Sequence, residues 1–166
     1  PSDYRLAGMK EAEVYFMPLG EASEAALDES FQRLIGGACT VPETLLVQGR
    51  EVTVPAANRG IARFAFADLC EQPLGAADYL AIASHFHTMV LADVPVMAPE
   101  QCNEAHRLAM LIDILYDHNV KLLVSVDGPP DSLYAEGTGT FEFRRAASRL
   151  VEMQSEAYLA APHRPA

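Results

Sequence analysis

The chain has no tryptophan and only two lysines, Lys10 and Lys121, among its 166 residues. Neither lysine follows a glycine, so there is no G-x-x-x-x-G-K-[ST] loop to wrap nucleotide phosphates in backbone N–H groups, and these residues do not hold ATP in the ordinary P-loop way. Cysteine is sparse too: Cys39, Cys70 and Cys102 lie far apart with no C-x-x-C pair. That excludes a disulfide framework, points to a reducing compartment, and predicts that each is a small buried apolar residue. Positive charge is scarce, with 12 Lys and Arg against 23 Asp and Glu for a formal charge of −11. An acidic field repels phosphate backbones and no basic patch offsets it, so the chain is not a nucleic-acid binder.

The longest charge-free stretch, Tyr79 to Ala92, falls short of the roughly 20 apolar residues of a membrane span, so a soluble chain without a transmembrane segment is expected. The N-terminus, Pro-Ser-Asp-Tyr-Arg, lacks a secretory pattern and an initiating Met, which predicts a piece of something longer. What is present is enough apolar content, 50% against 21% charged, to bury a sizeable core.

Periodicity places the elements. A strand is expected over Glu13–Met17, then a helix over Glu21–Ile35 capped by Ser23 and stopped by Gly36-Gly37. A hairpin is expected around Gln48-Gly49-Arg50 and a strand over Ile61–Phe66, so the first 70 residues favour antiparallel pairing. Beyond them the pattern predicts a helix over Ala76–His85, a buried strand Thr88–Leu91, an amphipathic helix Asn103–His118, a buried strand Lys121–Val126, a short strand Phe141–Phe143, and a final helix Arg144–Tyr158. Strand, helix, strand at these lengths implies a parallel βαβ unit. The expected class is α/β: a mixed sheet with an antiparallel N-terminal hairpin, followed by a Rossmann-like or degenerate P-loop-like βαβ unit with flanking helices. The organisation expected is a single domain over 1–160, with a hairpin-containing lobe over 1–72, a βαβα lobe over 73–160 and a flexible tail over 161–166.

Candidate sites are few. His85-x-His87 lacks further metal ligands and reads as a pair of ordinary hydrogen-bonded histidines. His106, Asp113 and Asp117 share the amphipathic helix in an arrangement a wetted face also produces, so no catalytic residue is assigned. Asp93 ends an apolar strand, where a carboxylate suits Mg²⁺, yet no phosphate loop accompanies it and a turn before Pro95 is the expected role. Arg144, Arg145 and Arg149 cluster near a helix start, which calls for an anionic partner; either Glu152 or Glu142 pairs with Arg149, or a phosphate or partner protein does.

The stretch from Phe141 to Leu159, with Arg144-Arg145-Ala146-Ala147-Ser148-Arg149 and Glu152-Met153-Gln154-Ser155-Glu156, resembles the C-terminal signature of the ZapE-like ATPases, an AAA-type P-loop family with bacterial and mitochondrial members. Asn103–Arg107 with Leu111–Asp117 and Val120–Leu122 resembles a second block, Asp78–Ala83 with Phe86–Thr88 and Asp93–Pro95 a third, and Asp3-Tyr4-Arg5 a fourth. The resemblance implies a C-terminal part whose Walker A and Walker B elements lie upstream, with ATP and Mg used by the intact parent and none expected for this part alone. It further implies packing on the parent's own upstream ATPase core, a cell-division or quality-control protein partner, and a cytoplasmic location with recruitment to the inner membrane face. Arg107, Arg145 and Arg149 match the family and are the candidate nucleotide-sensing or partner-contacting residues; Asp93, Asp113, Ser148 and Glu152 belong to the structural signature. His106 stands where the family commonly has the first of two arginines, and Ala146 where Thr is common. The strand Val120–Ser125 running into Pro129–Tyr134 has the form of a nucleotidase sensor strand, which suggests a degenerate P-loop-like half that kept its strands and lost its phosphate chemistry.

Overall fold

A computed structural model describes residues 13–165; the Asp3-Tyr4-Arg5 block and Lys10 lie outside the described residues. The strands are β1 (Tyr15–Phe16), β2 (Val41–Val47), β3 (Arg50–Asn58), β4 (Ile61–Ala65), β5 (Thr88–Val94) and β6 (Lys121–Val126). They form one sheet in the order β1-β6-β5-β4-β3-β2. β2, β3 and β4 pair antiparallel, while β4, β5, β6 and β1 are mutually parallel. The expected mixed α/β sheet is therefore present, and Leu91 of β5 sits beside Val124 of β6 in the parallel register of a βαβ unit. The expectation of antiparallel pairing throughout the first 70 residues fails for β1, which crosses to β6. Its neighbours Pro18 and Gly20 break the chain at once, so it is too short for a hairpin and joins the sheet where a parallel edge is open.

Among the described residues six α-helices flank the sheet: α1 (Glu21–Leu34), α2 (Phe66–Cys70), α3 (Ala76–His85), α4 (Cys102–Asp117), α5 (Thr140–Glu152) and α6 (Glu156–Ala160). The burial pattern follows the period-2 alternation of the strands. In β5, Met89 and Leu91 face the larger core with α3, α4 and α5, whereas Val90 and Ala92 face a smaller core with Leu27 and Phe31 of α1 and Ile35 just after it. Among the described residues only the parallel half is covered on both faces. In β3, Val52 and Val54 are buried while Glu51, Thr53 and Pro55 face solvent, the one-sided pattern of an antiparallel ribbon. Burying Leu27 and Phe31 contributes about 1.5–3 kcal/mol each. Arg63 of β4 fastens α1 further, with its guanidinium 2.6 Å from Asp28 and over the Phe31 ring at 5.5 Å.

Several local expectations need correction. Phe141-Glu142-Phe143 is not a strand but the first turn of α5, because Gly139 takes a left-handed φ of 86° and its carbonyl accepts from Phe143 N–H at 3.0 Å. Three alternating residues fit either period, and Phe143 belongs to the helical stripe Phe143, Ala146, Ala147, Leu150. The final helix is two helices, divided where Ser155 Oγ accepts from Tyr158 N–H at 3.2 Å and caps α6. Gly20, not Ser23, occupies the N-cap of α1; Ser23 is buried and donates to the Pro18 carbonyl at 2.5 Å. Cys70 is buried as expected, but Cys102 is half-buried and Cys39 exposed. After α6, three residues bond to the body: Arg164 N–H donates to His118 O at 2.7 Å, His163 Nε2 lies 2.6 Å from Ala83 O, and Lys121 Nζ donates to Ala161 O.

Candidate functional site

The carboxyl ends of the parallel strands are where an open α/β sheet binds ligands, at the point where successive helices leave for opposite faces. Here that point lies between β1 and β6, since α1 covers one face and α5 the other. Its chemistry is acidic. Asp127 Oδ1 accepts from Leu19 N–H at 3.3 Å, Tyr15 Oη donates to Gly128 O at 2.6 Å, and α1 begins with Glu21 and Glu24 in its first turn. Asp93 lies at the end of β5, exposed, with a φ of 67° and its N–H donating to Ser125 Oγ at 2.9 Å. Lys121 begins β6 and so sits at the sheet's opposite end. Carboxylates at a helix N-terminus satisfy its dipole but repel a phosphate. The residues present therefore do not fit a nucleotide triphosphate. Among the described residues no group of three or more His, Cys, Asp and Glu is placed to share a metal ion.

The predicted site residues fall into three groups. Arg107, on α4, donates to Cys70 O at 3.1 Å and so caps the carbonyl end of α2. Arg149 meets α4: its Nη1 is 2.9 Å from Asp113 Oδ1, and its guanidinium lies 5.0 Å from the Tyr116 ring centroid. This corrects the expected pairing with Glu152 or Glu142, because Arg149 lies on the α4 flank of α5 and Asp113 is the carboxylate across that seam. Glu152 instead accepts from Tyr116 Oη at 2.6 Å, a bond that raises the phenol's pKa above its ordinary value. Asp113, Arg149 and Glu152 thus converge, although sequence spacing alone did not place them on one seam.

Tyr116 ties this cluster to the body. It stacks on Tyr158 at 5.8 Å and 17°, and Lys121 Nζ lies 5.5 Å over the other ring. Tyr158 Oη donates to Val120 O at 2.7 Å and approaches Leu115 O at 3.2 Å. Burial pushes this phenol up and pulls the Lys121 ammonium down. An Arg149–Tyr116–Tyr158–Lys121 ladder therefore runs from α5 through α4 and α6 to the start of β6, and neither tyrosine carried a signal in the sequence that singled it out. Arg145 and Ser148 are exposed on the crest of α5. His106, Asp113 and Asp117 form no catalytic triad, since Asp113 is held by Arg149. His85 faces Glu43 at 3.3 Å, and His87 faces Thr88 Oγ1 at 2.8 Å and Arg59 O at 3.2 Å.

No helix among the described residues is long and apolar enough to cross a membrane. The family described as AFG1-like ATPase matches residues 1–162. Similar proteins include the cell division protein ZapE of Escherichia coli (strain K12), 36% identical over 161 residues that cover 97% of this chain and 43% of that protein. Lactation elevated protein 1 homolog B of Danio rerio is 34% identical over 191 aligned residues, covering 94% of this chain and 38% of that protein. The chain thus spans less than half the length of these curated relatives. No solved structure matches. On the match to nearly its whole length and the identity to ZapE, the chain belongs to the AFG1-like ATPase family.

Proposed function

We propose that these residues form the C-terminal, non-hydrolysing region of a ZapE-like Mg-ATPase, packing on an upstream nucleotide-binding core and coupling its ATP state to a protein partner. The observation that carries this reading is a nucleotidase-like parallel sheet whose ligand-binding end bears Glu21, Glu24, Asp93 and Asp127 in place of a phosphate loop. Strands and crossover are retained while the phosphate chemistry is absent, so ATP and Mg²⁺ belong with the core. Arg149 and Arg107 are committed to internal contacts and act as positioning residues; Arg145, exposed on the crest of α5, is the one of the three free to meet a group from outside.

The α4–α5 seam is the coupling element in this reading, because its ladder links the outer helix to the start of β6. Mixing the 166-residue chain with the separately prepared upstream region tests it. A complex with a Kd at or below about 10 μM, a binding free energy near −7 kcal/mol, and an altered ATP turnover are expected. No complex, with turnover unaffected, overturns it. The second reading, an interaction module without a nucleotide role, is favoured by exposed Phe141 and Val151 on α5. It predicts partner binding that does not respond to ATP or ADP on the intact protein.

A further inference from the structure

The outer side of α5 contrasts with the rest of the molecule. Arg33, Arg50, Arg63 and Arg149 each pair with a carboxylate, and Arg107 caps a helix. Arg144 and Arg145 are the chain's sole consecutive basic pair. Both are exposed and neither lies within ion-pair distance of a carboxylate among the described residues; Arg144 instead sits 5.9 Å over the Phe141 ring. Phe141 is 64% exposed and Val151 57% exposed on the same helix, and ten residues of helix separate them by about 15 Å. Beside them, a groove of about 460 Å³ runs between α5 and the turn after β6, walled by Pro129, Pro130 and Asp131 on one side and Arg144, Ser148 and Val151 on the other.

Two adjacent, unpaired guanidiniums framed by exposed apolar side chains make a local positive, partly apolar patch on a protein of charge −11. An apolar groove with Arg144 on its helix wall and Arg145 next along the same helix matches a segment bearing the opposite charge and its own apolar anchors. We propose that the α5 ridge, Phe141–Arg144–Arg145–Ser148–Val151 with the Pro129-Pro130 groove, docks an acidic segment of a partner protein, whose apolar side chains enter the groove while its carboxylates meet Arg144 and Arg145. A nucleic acid supplies the charge but no aliphatic anchor for Phe141 and Val151, and the −11 field opposes it. Asp131 is the one carboxylate of the groove and orients the segment by excluding its acidic end from the Pro129-Pro130 wall. The ridge rests on the reading above only for its effect on turnover: loss of docking overturns the ridge and leaves the core complex standing, and failure of the core complex leaves docking untouched.

The test uses the intact protein and a fluorescein-labelled amphipathic peptide of Glu, Leu and Phe of roughly 14 residues, long enough to span the ridge as helix. Two control peptides carry Lys for every Glu, or Ser for every Leu and Phe. By anisotropy the acidic apolar peptide binds and both controls do not. Arg144→Glu with Arg145→Glu raises its Kd about tenfold or more, as does Phe141→Ser with Val151→Ser, and raising NaCl from about 50 to about 500 mM weakens binding. The pair Arg144→Lys and Arg145→Lys, which keeps the charge, stays within about threefold of wild type. These side chains are exposed, so unchanged melting of each variant confirms that the fold is intact. The proposal is overturned by absence of peptide binding, by equal binding of the Lys peptide, or by charge reversal without effect. Tighter binding of a labelled oligo-dT, a dimer dissolved by Phe141→Ser, or stronger hydrogen-exchange protection of α5 in the intact protein than in the 166-residue chain before peptide is added assigns the ridge to another occupant and also overturns it.

Discussion

Asp113 Oδ1 is shut off from solvent in the seam between α4 and α5, where Arg149 is its ion-pair partner, so removing the guanidinium takes away that atom's counter-charge. Both side chains keep roughly a third of their surface exposed, 29% and 34%, so solvent screening lowers the cost below that of a fully buried pair. Arg149→Ala and Asp113→Ala are each expected to destabilise by about 1–2 kcal/mol and to be less than additive together. Arg145→Ala, one turn away and exposed, is expected to stay within about 0.5 kcal/mol. Urea unfolding of the four variants reads both values, and full additivity of the Arg149 and Asp113 changes contradicts the pair. Burial acts on other residues through pH. The Cys70 thiol is pushed up to about 12, and the Tyr15, Tyr79 and Tyr158 phenols are pushed above their ordinary value of 10.0, chiefly by desolvation. The folded chain then holds protons that the unfolded chain releases above about pH 9, so this stability is complete below that pH and is lost as pH rises toward 12. A melting temperature that falls between pH 8 and 10.5, with a shallower fall in Cys70→Ala, is the expected result; a flat profile opposes it.

At the scale of elements, the sequence was most legible where apolar periodicity ran long. The strand Lys121–Val126 and the helix Cys102–Asp117 follow their patterns to within a residue or two. Legibility failed where three residues decide a period, as at Phe141-Glu142-Phe143, and where a cap depends on chain direction, as at Gly20 and Ser23. It failed also for Arg149, whose partner is 36 residues away on another helix, a distance that a pattern of neighbours does not encode. Two element-level changes check the account. Gly139→Ala forces a Cβ onto a left-handed residue at the start of α5 and is expected to cost about 1 kcal/mol; a neutral effect in thermal melts contradicts the helical start at Thr140. Phe31→Ala removes the anchor of α1 and the face beneath Arg63, with an expected loss of about 3–5 kcal/mol. A loss below 1 kcal/mol in denaturant unfolding contradicts the smaller core.

For the whole molecule, composition excluded a phosphate loop, while the residue blocks and the family match carried the assignment; the sheet then showed why the ligand-binding end is acidic. That end was not legible beforehand, because Glu21, Asp93 and Asp127 are far apart in sequence and come to one end of the sheet only through the strand order that sets β1 beside β6. The packing of α5 on α4 separates the two arginine roles: Arg149 faces the seam while Arg144 and Arg145 face outward. The central claim is that nucleotide is held outside these residues, and calorimetric titration of Mg-ATP into the 166-residue chain tests it most directly. No heat of binding up to about 1 mM nucleotide, weaker than about −4 kcal/mol, is the predicted result; stoichiometric binding at micromolar Kd, lost on Asp93→Ala or Asp127→Ala, contradicts it.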